Sequence, residues 1–236
     1  MNKISTIHLP SNGLLGVPTT IGVRALGGAE LSTIYASLDD AAIDETIRAA
    51  TTPSLDPDLL TSEDKVAIMH EIRRNTFGDT IKVPLRCPHC GQIHDYYIDY
   101  TDLKTEYLTE EILKPITLLN GDTITRKFPV KVDSDNIKSF ITKHNISKRG
   151  DLFTVSQMLL IDKVNDKKLT LLELKNYLGN LTGADYGALV EHHTKGFGFN
   201  PVFVVPCESC DTLITGGVGL TADLFRVYTK PVPSIN

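Results

Sequence analysis

The chain has 236 residues, 41% hydrophobic and 22% charged, the balance of a globular protein that buries a real core. Its net charge of −5 argues against a broad nucleic-acid footprint, because phosphate contacts need clustered Lys and Arg. No apolar run approaches the ~20 residues of a membrane span, so no membrane insertion is expected.

"MNKISTIHLPSNG" lacks the sustained apolar stretch of an export signal, so folding is expected in a reducing cytoplasm. Residues 1–27 carry turn punctuation ("LPSNG", "GVP", "LGG") around one expected short strand, "TTIGVRAL". From Ala29 the period becomes helical. "AELSTIYASL" sets Leu31, Ile34, Tyr35 and Leu38 on one face, and "DDAAIDETIRAA" does the same with Ile43, Ile47 and Ala50. Two prolines in "TTPSLDPD" break the run. A helix follows in "TSEDKVAIMHEIRRNTFG", capped by Thr61 or Ser62, acidic in its first turn, basic in its last, and stopped by Gly78. Its Val66, Met69, Ile72 and Arg73 face is expected in the core.

The next stretch holds the first two of four cysteines, Cys87 and Cys90 in "CPHCG"; the other two are Cys207 and Cys210 in "CESCD". Matched C-x2-C pairs have the number and spacing of a closed tetrahedral site for one structural zinc ion. The chemistry follows from the turn. A Cys at a strand end and another three residues on can aim both thiolates at one ion if the backbone after the second turns left-handed. Gly91 does this at no steric cost, and Asp211 tolerates it better than most residues. Strand-like sequence flanks each pair ("TIKVPLR" and "QIHDYYIDY"; "NPVFVV" and "TLITGGV"), which is the pattern of a zinc ribbon. A redox pair would open a helix, which neither pair does, and disulfides would suit an oxidising compartment. His89, His94, His192 and His193 are potential substitute ligands that the complete Cys set makes unnecessary. Four thiolates leave no open coordination position, so the expected role is structural.

Between the pairs, "LKTEYLTEEIL" reads as a short helix or irregular chain, and the Asn-Gly of "ITLLNGDTITRKFPVKV" marks a hairpin. Helices are expected at about 133–146, 150–164, 169–180 and 182–195, with Asp133, Asp151, Thr170 and Thr182 near their starts. "KHNISKR" at 143–149, the longest basic cluster, reads as a solvated helix end and turn. After the second pair, "TADLFRVY" is a short helix or turn before a Pro-rich tail. The fold class is therefore α+β: helical lobes around a small zinc-ribbon unit whose two knuckles are separated by a long, mostly helical insertion. The expected units are 1–78, then 79–100 joined with 200–236, and the insertion 101–199.

Catalytic signatures are missing. "GGVG" at 216–219 lacks the G-K-[ST] ending of a phosphate loop, and "HE" at 70–71 lacks the second His of a zincin helix. "DSDN" at 133–136 lacks the Gly and Glu of a calcium loop. "EHHTKGFGF" at 191–199 gathers polar groups without a nucleophile–base spacing. Neither an enzyme nor a small-molecule substrate is expected.

The order "HLPSNG", "VRALGGAEL", "DKVAIMHEIRRNTFGD", "CPHCG", "FPVKVDSD", "CESC", "LFRVY" resembles the baseplate proteins of contractile-tailed phages of the T-even type, over nearly the whole chain. Asp211 stands where that pattern has Gly, and "LFRVY" replaces a more aromatic closing motif. The resemblance implies a non-enzymatic hub component or hub-assembly factor, in the virion tail baseplate or in the host cytoplasm during assembly, with other baseplate and hub proteins as partners. The alternative is a zinc-ribbon nucleic-acid or transcription adaptor. Against it, Arg86 is the only basic residue next to either Cys pair. The two ends, "TIHLPSNGLLGVP" (6–18) and "LFRVYTKPVPSIN" (224–236), mix apolar residues with proline and are expected either to fray or to serve as docking arms that order on a partner.

Overall fold

A computed structural model describes residues 4–225. The chain opens with β1 (Ile4–His8), which pairs antiparallel with β2 (Thr20–Arg24) in register Ile7↔Ile21. This strand corrects the reading of the first residues as turns and arm. The five-residue alternation of "ISTIH" is short, and only the edge of β2 gives it a partner. Leu9 is 0% exposed, and the Ser11 N–H donates to the Asp64 carboxylate at 2.9 Å, so residues 6–18 are built into the fold. At the other end Leu224 and Phe225 are core residues; 226–236 lie outside the described residues.

Helices α1 (Gly28–Ala36) and α2 (Asp40–Ala50) follow as expected, with Ile34, Ile47 and Ala50 buried; Tyr35 stays half in solvent. Strand β3 (Thr51–Thr52) adds to the far edge of β2. Helix α3 (Ser62–Phe77) is capped by Thr61, whose hydroxyl accepts from the Asp64 N–H at 3.2 Å, and ends at Gly78 with φ 91°. Its Ile68, Met69 and Ile72 are buried, and Val66 is half-buried. Arg73 is fully buried because its guanidinium donates to the carbonyls of Gly78, Thr80 (2.7 Å) and Leu224 (3.3 Å). A charge this deep survives because it ties three segments together through hydrogen bonds.

Strands β4 (Thr80–Arg86) and β5 (Ile93–Asp99) form a hairpin closed by the first knuckle. Next come β6 (Lys104–Glu106), α4 (Glu110–Leu113), β7 (Ile116–Thr117) and β8 (Thr123–Arg126), then α5 (Lys131–Lys143) and α6 (Arg149–Leu159). The expected helix over 150–164 stops at Leu159. Residues Ile161–Val164 form β9, paired with β8 in register Ile124↔Val164. Two left-handed residues, Asn165 (φ 49°) and Asp166 (φ 61°), turn the chain back after it. Ile161 and Val164 are buried against the β7–β8 hairpin, so tertiary pairing overrides a helix-compatible stretch.

Helices α7 (Leu171–Asn180) and α8 (Gly183–Thr194) start at Thr170 and Thr182, whose hydroxyls accept from Glu173 and Asp185 N–H groups. Asp133 and Asp151 lie in first turns instead of at caps; Asp133 reaches back to the Val130 N–H at 3.1 Å. Strand β10 (Gly198–Asn200) then pairs with β6, so the chain entering the 101–199 stretch is bonded to the chain leaving it. That pairing had no signal in "LKTEY". A second hairpin, β11 (Val202–Pro206) and β12 (Leu213–Gly217), carries the other knuckle.

The fold is mixed α and β with two larger cores. One unites α1–α3 with both hairpins through Ile47, Ile68, Tyr96, Cys207, Ile214 and Phe225. The other lies within the insertion, around Ile124, Phe140, Met158, Leu178 and Leu189. A small group of Leu108, Phe128 and Phe197 sits at the neck, packed by Leu14 and Leu15.

Candidate metal centre

Both knuckles are built by the same hydrogen bonds. Cys87 N–H donates to the Gln92 carbonyl (2.8 Å) and Gly91 N–H to the Cys87 carbonyl (3.0 Å); Cys207 N–H donates to Thr212 (2.9 Å) and Asp211 N–H to Cys207 (2.9 Å). Gly91 (φ 74°) and Asp211 (φ 56°) take the left-handed conformation that the spacing requires. The Cys87 sulfur also accepts the His89 N–H at 3.4 Å.

The two knuckles meet. Cys87 Sγ lies 3.6 Å from Cys210 Sγ, Cys90 Sγ lies 3.7 Å from Cys207 Sγ, and all four sulfurs fall within 4.8 Å of one another. Sulfurs at tetrahedral corners around an ion, each at ~2.3 Å, stand about 3.8 Å apart. The donor set therefore fits a metal ion of zinc's size and softness, and all four cysteines are free thiols. Cys87 and Cys207 are buried, Cys210 half-buried and Cys90 exposed, so one side of the cluster faces solvent.

The thiols do not titrate alike. Hydrogen bonds from the Thr212 side chain and backbone pull Cys210 down to about 5. Cys90 rises to about 12: the Gln92 backbone bond opposes the rise, and partial desolvation beside the cluster together with the three neighbouring thiols outweighs it. Four sulfurs this close cannot all carry charge in isolation, and a central dication removes that repulsion.

A set of contacts that the sequence did not single out braces the centre. Tyr96 donates its hydroxyl to the Pro206 carbonyl (3.0 Å). His94 Nε2 meets Ser209 Oγ at 3.0 Å, and His94 Nδ1 lies 3.4 Å from the Glu208 carboxylate. Their only signal is the two-residue spacing of His94 and Tyr96, which puts both on one face of β5. Neither His89 nor His94 belongs to the sulfur cluster, and His192 and His193 sit on α8 in the insertion.

The family described as T4 bacteriophage base plate protein matches residues 1–212. The chain belongs to this family. No curated protein and no solved structure matches it. Membership makes it a structural protein of the phage tail baseplate, with other baseplate proteins as its partners. No helix among the described residues is long and apolar enough to cross a membrane.

Of the other histidines of this baseplate protein, three lie in the core, while His8 and His144 are exposed. His70, His192 and His193 are all buried. His70 Nδ1 lies 3.1 Å from the Tyr100 hydroxyl, and His193 Nδ1 donates to Gln157 Oε1 at 2.7 Å. Burial pushes His70 and His193 down to about 4, with Arg73 adding to the first and Arg126 to the second; His192 is lowered by burial and then by Arg126. All three are neutral at neutral pH.

Proposed function

We propose that this baseplate protein is a non-enzymatic component of the baseplate hub, or a factor that builds the hub in the host cytoplasm. In this reading Cys87, Cys90, Cys207 and Cys210 hold one structural zinc ion in a zinc ribbon. The observation that carries it is the mutual approach of the four sulfurs. Physically the ion staples the chain where it leaves and re-enters the main lobe. Closing a loop of this length is worth on the order of 4–5 kcal/mol in the chain-entropy model, and structural zinc binds small modules with about 10–16 kcal/mol shared with folding.

The proposed units are residues 1–78, the ribbon at 79–100 with 200–236, and the insertion at 101–199. The separate core of the insertion and the β6–β10 pair at its neck support the insertion as a unit, while 1–78 and the ribbon share one core. Family membership favours the baseplate reading over a nucleic-acid adaptor. The test is mass spectrometry of purified virions, and of proteins captured with the tagged chain from infected cells. Hub proteins in the capture are the expected result; the chain's presence in virions then marks a component, and its absence an assembly factor. Capture of nucleic acid without baseplate proteins would refute the reading.

A further inference from the structure

The two hairpins of the ribbon are matched in backbone and unmatched at their edges. In β11 the bonds Cys207 N–H to Thr212 and Val218 N–H to Pro201 set the alternation, with Val205↔Ile214 and Phe203↔Gly216 between them. Residues 201, 203, 205 and 207 therefore turn their backbone groups toward β12, and 202, 204 and 206 turn theirs away. Of the outward groups, the Val202 N–H is taken by Asn200 Oδ1 (3.0 Å) and the Pro206 carbonyl by Tyr96. The Val202 carbonyl and both backbone groups of Val204 face outward, and among the described residues no strand pairs with them.

Counted back from the first cysteine of each knuckle, the same positions in β4 are Lys82, Pro84 and Arg86. A proline without an N–H between two cations is how proteins block an edge strand. Lys82 also pairs with Asp95 across the hairpin at 2.6 Å. Strand β11 has its outward proline, Pro206, only at the knuckle end, beyond Val204. From Asn200 to Pro206 there is no charge, and Val202 (51% exposed), Val204 (57%) and Leu213 (68%) form an aliphatic face beside the open edge.

We infer that the β11 edge at Val202–Val204 is the site where an uncharged, aliphatic extended strand from another baseplate protein adds to the ribbon. The open groups are backbone donors and acceptors at strand spacing, which only an extended chain satisfies in full. The aliphatic side chains favour a partner strand with apolar residues in alternate places. A second copy of this chain is the poorer occupant. Self-pairing would engage about three residues a side and bury far less than the ~800 Å² per partner of a stable dimer. A strand held elsewhere in a baseplate does not need to draw its affinity from this edge alone. The inference rests on baseplate membership and not on the metal.

The test uses the full chain and the other baseplate proteins of the same phage, purified and titrated one at a time. Val204→Pro removes the outward N–H and copies Pro84, while the ladder to β12 keeps all its bonds. Val204→Lys supplies the charge without the ring, and Val204→Thr is the control. The expected result is a partner whose binding slows exchange of the Val204 amide. Val204→Pro and Val204→Lys should weaken it about tenfold or more, and Val204→Thr should stay within about threefold. Unchanged binding by both Val204→Pro and Val204→Lys, or exchange at 202–206 unaltered in the complex, overturns the edge while leaving the baseplate reading intact. A homodimer lost in Val204→Lys overturns it in favour of a second copy. No binding by any baseplate protein overturns both readings.

Discussion

Arg126, at the end of β8, donates a hydrogen bond at 3.1 Å to the carbonyl of His193, 67 residues further along the chain. The same guanidinium reaches the carbonyls of His192 (3.3 Å) and Lys195, and its carbon lies 4.3 Å from the centre of the Phe128 ring. The negative end of α8 thus receives its cation from another element instead of from its own last turn. Arg126→Met keeps the bulk and leaves the carbonyls unpaired. It should cost about 2–4 kcal/mol, read by chemical denaturation. A loss under about 0.5 kcal/mol would show that water replaces the cap.

The metal proposal predicts about one zinc per chain by mass spectrometry of the native protein. Cys87→Ser or Cys210→Ser should release the ion and open residues 101–199 to protease. A folded, metal-free wild-type chain, or a disulfide within either pair, would end the proposal.

Gly216 has no room for a side chain. A methyl group there would stand 2.7 Å from the Phe203 ring and 2.9 Å from Leu85 Cδ1, where the two hairpins touch. Gly216→Ala should therefore destabilise by about 1–3 kcal/mol and, on the metal proposal, speed zinc loss to a chelator. Gly121, with open space at its Cβ but φ 89°, is the comparison: Gly121→Ala should lower stability without changing zinc release.

The buried histidines predict a pH dependence. An unfolded histidine titrates near 6.5, while His70 and His193 titrate near 4 in the fold. The unfolded chain binds more protons between these values, so stability is full above about pH 6.5 and falls as pH drops toward 4. His193→Gln should remove part of that slope, measured as melting temperature between pH 7 and 4.5. An identical slope in the variant would exclude His193 as a contributor.

Removing residues 1–12 should lower stability by several kcal/mol, because it strips β1 from β2, empties the Leu9 site and removes the Ser11 N–H from the buried Asp64. Fluorescence-monitored unfolding measures this. An unchanged midpoint would return these residues to the role of a docking arm.

What the sequence determined by itself is local. Thr61, Thr170 and Thr182 cap helices because their hydroxyls reach N–H groups three residues on. Gly91 and Asp211 turn the knuckles because those two residue types tolerate positive φ. The apolar faces of α2 and α3 follow from their helical period. One distant meeting was also legible, that of the two Cys pairs, because their matched spacing marks them as a single donor set; the tertiary structure decided the other long-range partners. "ISTIH" is a strand because β2 has an edge for it, and "IDKV" because β8 does. "KTE" finds "GFN" across the whole insertion. Arg126 looks like an ordinary surface cation in the sequence, yet it is buried against the His193 carbonyl 67 residues away; Arg73 lies in the core as its helical face implies, but its partner at Leu224, 151 residues on, is not written there. A hydrogen bond within four residues is written in the residues that make it, whereas one across sixty or more depends on where packing brings the chain.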